Sequence, residues 1–125
     1  MDLSIVIVNW NTRELLAACL ESVRAGLGGL RAEIIVVDNA SQDGSADLVA
    51  HRFPEVRLIR NAENRGFAAA NNQAFAVARG RRILLLNNDT LVHGDVLEAS
   101  VRYLDARPEV GAMGCRVENA DGSTQ

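Results

Sequence analysis

Two aspartates come directly after apolar stretches of the chain, at points where a carboxylate is free to do chemistry. Asp38 ends the segment "EIIVVD" (33–38), and Asp89 follows "RILLLNN" (82–88). Neither is needed to cap a helix that begins at the next residue. A carboxylate so placed can bind Mg²⁺ together with phosphate oxygens, or accept a hydrogen bond from the imide N–H of a pyrimidine. Asp89 suits the first role and Asp38 the second.

Amide side chains, an arginine and the only tryptophan also follow apolar stretches. These further candidates are Asn9, Trp10 and Asn11, then Asn39 and Ser41, then Asn61, Asn64 and Arg65, and finally Asn87 and Asn88. Such residues are also common after strands because they cap helices and accept turn conformations. Asn11, which precedes Glu14 at capping-box spacing, and Ser41 fit that structural explanation best. Trp10 can either stack on a base or pack as a lid.

The predicted strands and helices determine where these residues lie. Apolar runs alternate with segments of helical periodicity along the whole chain. The predicted strands cover 3–8, 33–38, 56–60, 82–87 and 110–117, and the helices between them end near Gly26, Pro54, Gly80 and Pro108. This alternation predicts an α/β fold, a doubly wound and mostly parallel sheet with helices on both faces and right-handed crossovers. Ligands of such sheets bind beyond the carboxyl ends of the strands, where all the candidates lie.

Composition and missing motifs narrow the function. The 125 residues are 48% hydrophobic, which suits one domain, and the net charge of −3 argues against a nucleic-acid partner. Cys19 and Cys115 lack the spacing of a zinc or redox motif. There is no GxGxxG after the first strand, no GxxxxGK[ST], and no Ser-His or Cys-His pair, and the histidines look incidental. A nucleotide diphosphate held through a divalent cation is the ligand that remains.

Four stretches carry a resemblance to a known family. They are "SIVIVNWN" (4–11), "IIVVDNASQDGS" (34–45), "NRGFAAANNQAF" (64–75) and "ILLLNNDTLV" (83–92). In order and spacing the chain resembles the family 2 glycosyltransferases of GT-A fold, above all the bacterial branch that includes rhamnosyltransferases and other surface-polysaccharide enzymes. The resemblance implies a hexosyltransferase that transfers a sugar from a UDP- or dTDP-sugar to a saccharide or lipid-linked acceptor, with inversion and with Mg²⁺ or Mn²⁺ as cofactor.

The resemblance also implies a role for each matching position. Asp89 would bind the metal, at the last position of a D-x-D-like motif in which Asn87 replaces the first aspartate. Asp38 would bind the pyrimidine. The remaining nucleotide-binding positions would be Val8, Asn9, Trp10 and Asn11 at the base pocket, Asn39 beside Asp38, Arg65 and Gly66 near the nucleotide, and Asn88 facing the ribose and sugar. With one carboxylate in the motif, metal affinity without nucleotide should be modest.

No residue of the chain matches the family's catalytic base, which the resemblance places beyond position 125. Residues 1–125 are therefore expected to form a donor-binding domain, truncated before the acceptor-binding half and nearly inactive alone, with a mobile tail at 118–125. The resemblance further implies a cytoplasmic protein, peripheral at the inner face of the membrane. Apolar surface near "VGAMGC" (110–115) is expected to favour self-association.

Two alternatives stay open. A sugar nucleotidyltransferase would share the α/β layout, but such enzymes usually carry a glycine-rich, basic loop where this chain has "NWNTRE" (9–14). A non-catalytic nucleotide-binding or scaffold domain is compatible with every motif described. A metal-dependent response of Trp10 fluorescence to UDP or dTDP separates donor binding from the scaffold alternative.

Overall fold

Four parallel strands alternate with four α-helices in the computed structural model, which describes residues 1–125. In chain order the elements are β1 (Leu3–Asn9), α1 (Arg13–Gly26), β2 (Ala32–Asp38), α2 (Ser45–Arg52), β3 (Arg57–Arg60), α3 (Phe67–Phe75), β4 (Arg82–Leu85) and α4 (Val96–Ala106). The strand order is β3-β2-β1-β4, and every pairing is parallel. The predicted doubly wound α/β architecture is confirmed.

Helices cover both faces of the sheet, as predicted. On one face α1, α2 and α4 pack in a cluster of 14 buried residues, to which α1 contributes a stripe that includes Leu16, Leu20 and Val23. On the other face α3 places Ala70 and Ala74 against β1 and β2. Strands β1 and β2 are apolar without alternation because both of their faces are buried. None of the helices has the length and apolar character needed to cross a membrane.

The amino ends of the strands are locked by a polar cluster. The fully buried Ser4 donates to Oε1 of Glu33 at 2.5 Å and accepts from the backbone N–H of Gly80 at 2.8 Å. The backbone N–H of Arg79 donates to the same Glu33 oxygen at 2.5 Å. These contacts draw the α3–β4 connection onto the sheet, and α3 accordingly ends at Phe75 rather than near Gly80 as predicted.

The predicted fifth strand over 110–117 is wrong. These residues form no ladder, and most lie exposed along a groove beside β4 and α4. Gly111 and Gly114 weaken strand formation there, because glycine loses the most conformational entropy on ordering and has no side chain to pack. The outer edge of β4 consequently pairs with no other strand, and Ile83 and Leu85 are about half exposed at 47% and 50%.

The segment expected to be a mobile tail forms a tight turn in the structure. The backbone N–H of Asn119 donates to Ser123 at 2.8 Å, and that of Gln125 donates to Val117 at 2.8 Å. All side chains from Gly111 onward are exposed. The turn is therefore held by its own hydrogen bonds rather than by burial.

Candidate functional site

Three neighbouring strands deliver candidate residues to the carboxyl edge of the sheet. Strand β1 lies between β2 and β4, and its last residue, Asn9, stands in register with Asp38, the last residue of β2. On the other side the chain leaving β4 runs alongside β1 and brings Asn88 to Asn9. The predicted edge is therefore real, and Asn9 lies at its centre.

Asn9 uses its whole side-chain amide inside the protein. It is fully buried, and its Nδ2 donates to Oδ1 of Asp38 at 3.0 Å and to Oγ of Ser41 at 3.3 Å. Its Oδ1 accepts from Oγ1 of Thr12 at 2.8 Å and from Nδ2 of Asn88 at 3.0 Å. An asparagine amide has two donor hydrogens and two acceptor lone pairs, so no position remains for a ligand.

Asp38 is buried, and one of its acceptor positions has no partner within the protein. Its Oδ1 accepts from Nδ2 of Asn9 at 3.0 Å and from Oγ of Ser41 at 2.7 Å, while Oδ2 accepts from the backbone N–H of Ser41 at 3.0 Å. A carboxylate offers about four acceptor positions. Three are filled, and the remaining one is on Oδ2.

The structure corrects the helix-capping interpretation of Asn11 and Ser41. Asn11 has a left-handed φ of 50°, and its Oδ1 accepts from the backbone N–H of Gln42 at 2.7 Å. Ser41 accepts from the backbone N–H of Asn11 at 2.9 Å while it donates to Asp38. Each residue thus joins the β1–α1 loop to the β2–α2 loop, because the two loops lie side by side at the sheet edge. Neither residue caps a helix.

A second amide network holds the loop that follows β3. The Oδ1 of Asn39 accepts from Nδ2 of Asn61 at 2.9 Å and from the backbone N–H of Arg65 at 3.3 Å, and its Nδ2 donates to the carbonyl of Gly66 at 3.2 Å. Asn61 and Gln73 exchange a reciprocal pair of amide hydrogen bonds at 2.8 Å. The side chain of Asn39 therefore fixes the start of α3 and contacts no open surface, being 2% exposed.

Gly66 and Arg65, which directly precede α3, differ in what they contribute to the site. Gly66 has a φ of 81°, a conformation that glycine adopts without strain, and it directly precedes the first residue of α3. The side chain of Arg65 is exposed and forms no ion pair or hydrogen bond within the protein. Its guanidinium is thus available to an anion.

The turn after β4 directs Asp89 away from the protein. The carbonyl of Asn87 accepts from Oγ1 of Thr90 at 2.7 Å and from Sγ of Cys19 at 3.7 Å. Burial raises the pKa of the Cys19 thiol to about 11, so this group remains a neutral donor. Asp89 is exposed and has no salt bridge or hydrogen bond in the structure.

Asn88 is anchored by one end of its amide. Its Nδ2 donates to Asn9 at 3.0 Å and also to Oγ1 of Thr12, so both amide hydrogens are used. Its Oδ1 has no partner within the protein, and the residue is only partly buried. Asn88 can therefore offer an acceptor to a ligand but no donor.

Trp10 is exposed, whereas the side chain of Val8 packs inside the protein. Trp10 is 56% exposed at the carboxyl edge, where its ring can meet a planar ligand. The side chain of Val8 packs instead against the apolar cluster beneath α3, so only its backbone can contribute to a ligand pocket.

The family model described as "Glycosyl transferase family 2" matches residues 4–125, nearly the whole chain. The chain belongs to this family.

Relatives and solved structures of the family agree with the fold. The chain is 36% identical over 106 residues to the succinoglycan biosynthesis protein ExoO of Rhizobium meliloti, covering 84% of the chain and 30% of that protein. It is 32% identical over 102 residues to the poly(ribitol-phosphate) beta-glucosyltransferase of Bacillus spizizenii, covering 78% of the chain and 16% of that protein.

Among solved structures, the mannosyltransferase PcManGT of Pyrobaculum calidifontis, in complex with GDP-Man and Mn²⁺, superposes with a TM-score of 0.83. It is 30% identical, and the match covers 94% of the chain and 35% of the mannosyltransferase. The chain thus spans about a third or less of the length of these relatives.

The metal chemistry of a family 2 glycosyltransferase can be tested against the residues present. No group of three or more His, Cys, Asp or Glu side chains is arranged to hold an ion. Asp89 is an unpaired, exposed carboxylate at the edge, so it fits a cation that takes its other ligands from phosphate oxygens and water. A site made of protein ligands alone does not fit this chain.

The sequence did not predict the roles of several residues at this candidate site. Thr12 joins Asn9 to Asn88, Gln73 holds Asn61, and Asp43 accepts from the backbone N–H of Arg13 at 2.9 Å at the start of α1. Apart from the contact between Thr12 and Asn9, which are three residues apart, each contact joins residues that are distant in sequence. The only signal was the clustering of Asn, Asp, Ser and Thr after the strands.

Two open cavities complete the description of the surface. One, of about 1330 Å³, runs along β4 and α4 and begins at Asn87, Asp89 and Thr90. The other, of about 410 Å³, lies between α1 and α2 and includes Arg13 and His51. The first adjoins the predicted metal ligand, and the second contains no predicted site residue.

Proposed function

We propose that this chain is the donor-binding part of an inverting, rhamnosyltransferase-like hexosyltransferase that uses a UDP- or dTDP-sugar. The observation that carries the proposal is the pair of available carboxylate oxygens at one sheet edge. One is the open acceptor position on the buried Asp38, and the other is the unpaired carboxylate of Asp89. The buried Asn9 connects the segments that carry them.

The single open acceptor position on Asp38 favours a pyrimidine over guanine. Uracil and thymine each present one imide N–H, which one free position on Oδ2 can accept. Guanine presents two adjacent donors, and a carboxylate with three of its positions filled cannot accept both without losing a bond to Asn9 or Ser41. The exposed ring of Trp10 would stack on the base.

The diphosphate would lie between Arg65 and Asp89, an exposed cation and an exposed carboxylate of this edge whose side chains have no partner within the protein. Asp89 would hold Mg²⁺ or Mn²⁺, and the metal would offset the charge that develops on the departing diphosphate. The Mn²⁺ in the mannosyltransferase complex supports the use of a divalent cation. Asn88 would offer its Oδ1 to a ribose or sugar hydroxyl.

The acceptor side of the reaction belongs to the whole protein. We propose a saccharide or lipid-linked acceptor, a cytoplasmic location peripheral to the inner face of the membrane, and little transfer by residues 1–125 alone, since no residue at the edge is placed as a general base. The role of ExoO in succinoglycan biosynthesis supports a polysaccharide as the product class. The exposed apolar edge of β4 supports self-association of this chain.

A guanosine donor is the competing candidate, because the mannosyltransferase at 30% identity was solved with GDP-Man. Isothermal titration with UDP, dTDP, GDP and ADP, each with Mn²⁺ and with EDTA, separates the candidates. We expect metal-dependent binding of UDP or dTDP, accompanied by a change in the fluorescence of Trp10, the only tryptophan.

The matched variants are Asp89→Asn and Asp95→Asn. Asp95 is another exposed carboxylate after β4, and its contact with Arg102 is a distant 3.7 Å. The first substitution should weaken UDP binding in Mn²⁺ at least about tenfold, or 1.4 kcal/mol, and the second should leave it unchanged. Preferential binding of GDP would refute the pyrimidine assignment, and absence of any nucleotide binding would favour a non-catalytic scaffold.

A further inference from the structure

We infer that Asn9 is a positioning residue that sets the base site and the metal-binding turn at the same time, without touching the donor. This inference rests on the proposed function. It revises the expectation that the Asn9 side chain binds nucleotide, because that side chain is fully buried and all of its hydrogen-bonding positions are filled.

The orientation of the Asn9 amide follows from its neighbours. A carboxylate accepts hydrogen bonds, so the Asn9 atom that lies 3.0 Å from Oδ1 of Asp38 is the nitrogen. The carbonyl oxygen of Asn9 then faces Thr12 and Asn88, which both donate to it. The reverse orientation would place two acceptor oxygens in contact, so the network fixes one arrangement.

On the β2 side, Asn9 determines which part of Asp38 is available. By donating to Oδ1 together with Ser41, it occupies that oxygen and leaves the open position on Oδ2. A rotation of the Asp38 carboxylate would break these bonds. Without Asn9, the two hydrogen bonds from Ser41 would still hold the carboxylate, but Oδ1 would gain an open acceptor position and the acceptor for the base would no longer be confined to Oδ2.

On the β4 side, Asn9 determines the orientation of Asn88. The hydrogen bond from Asn88 Nδ2 draws that amide towards β1 and turns its Oδ1 away from Asn9. Asn88 directly precedes Asp89, so the same bond restrains the turn that carries the metal-binding carboxylate. Thr12 supplies a second restraint here, as Ser41 does for Asp38, but Asn9 acts on Asp89 only through the neighbouring Asn88. Loss of Asn9 should therefore affect the metal-binding turn less than the base site.

Two probes separate these effects in the 125-residue chain. Uridine without metal reports the base site alone, and the ratio of its Kd to that of UDP with Mn²⁺ reports the gain due to diphosphate and metal. Asn9→Ala should weaken uridine binding about tenfold and reduce the gain about threefold. Asp38→Asn should weaken only uridine binding, and Asn88→Ala should reduce only the gain.

The matched control is Ser4→Ala. Ser4 lies on the same strand, is equally buried and is also hydrogen-bonded, but it lies at the opposite end of the sheet. It should lower the unfolding midpoint while leaving both binding measurements unchanged. The decisive variant is the double substitution Asn9→Ala with Asp38→Asn, whose uridine affinity should equal that of Asp38→Asn alone, because Asn9 acts on the base through Asp38.

The possible results lead to different conclusions. If the wild-type chain binds neither uridine nor UDP, the proposed function fails and this inference fails with it. If the wild-type chain binds both and Asn9→Ala behaves like Ser4→Ala, the proposed function stands and Asn9 is only structural. Additive losses in the double variant would show that Asn9 contacts the donor directly, which would also overturn the inference.

Discussion

Gly80 offers the most direct test of how the strands are held together. A Cβ added at this position would lie 2.3 Å from the backbone nitrogen of Ser4 and 2.5 Å from the carbonyl carbon of Leu3. Both are backbone atoms of the central strand, so they cannot rotate away. Gly80→Ala must therefore push the α3–β4 connection away from β1.

The cost can be worked from these contacts. Overpacking of this kind costs about 1–3 kcal/mol, and loss of the 2.8 Å hydrogen bond from Gly80 to Ser4 costs about 1 kcal/mol more. Alanine lowers the conformational entropy of the unfolded chain, which offsets about 0.4–1 kcal/mol of this loss of stability. The free energy of unfolding should fall by about 1–3.5 kcal/mol, a substantial part of the roughly 5–15 kcal/mol of a typical domain.

Urea denaturation followed by circular dichroism measures this change, and the midpoint should fall by about 1–2 M. Gly111→Ala is the matched control, because nothing lies within 4 Å of a Cβ at that position. It should leave the midpoint unchanged or raise it slightly. Equal midpoints for the two variants would refute the argument that close approach of the backbones requires glycine at position 80.

Two further predictions concern thiol chemistry and self-association. Burial raises the pKa of Cys19 to about 11, so this thiol should resist alkylation in the native protein at pH 8 and react only after unfolding or as the pH rises towards 11. The exposed Cys115 should react at once. Equal alkylation rates of the two cysteines, measured by mass spectrometry, would contradict the burial of Cys19. Leu85→Lys should abolish concentration-dependent association in sedimentation velocity, because a lysine on an exposed edge strand opposes pairing with another strand. Leu91→Lys is the control, since Leu91 is similarly exposed but lies outside the strand, and it should leave the association unchanged.

The fold was largely predictable because its signals are local. Unbroken apolar runs at 3–8 and 33–38 predicted strands buried on both faces, and helical spacing between them predicted the crossovers. The segment 110–117 was the exception: its apolar residues predicted a strand, but Gly111 and Gly114 interrupt it and no neighbouring strand pairs with it. Strand formation depends on a partner, which sequence periodicity alone does not reveal.

The candidate site was predictable in location but not in its internal roles. Placing Asp38 and Asp89 at the ends of strands was enough to predict one common edge. The distinction between a saturated amide at Asn9 and a half-free amide at Asn88 depends on which groups lie within 3 Å of each. Residue type gives no information on this, because both are asparagines after apolar strands.

The saturated amide of Asn9 has a consequence for the exchange of loops between relatives. Its partners come from the loops after β1, β2 and β4, so a loop transplanted from another family member must match the hydrogen-bonding pattern of the two loops left behind. A graft of residues 87–90 that removes the hydrogen-bond donor Nδ2 of Asn88 should need a compensating change at Asn9 or Thr12. Chimeras of this chain that exchange the three loops together should retain nucleotide binding where grafts of a single loop lose it.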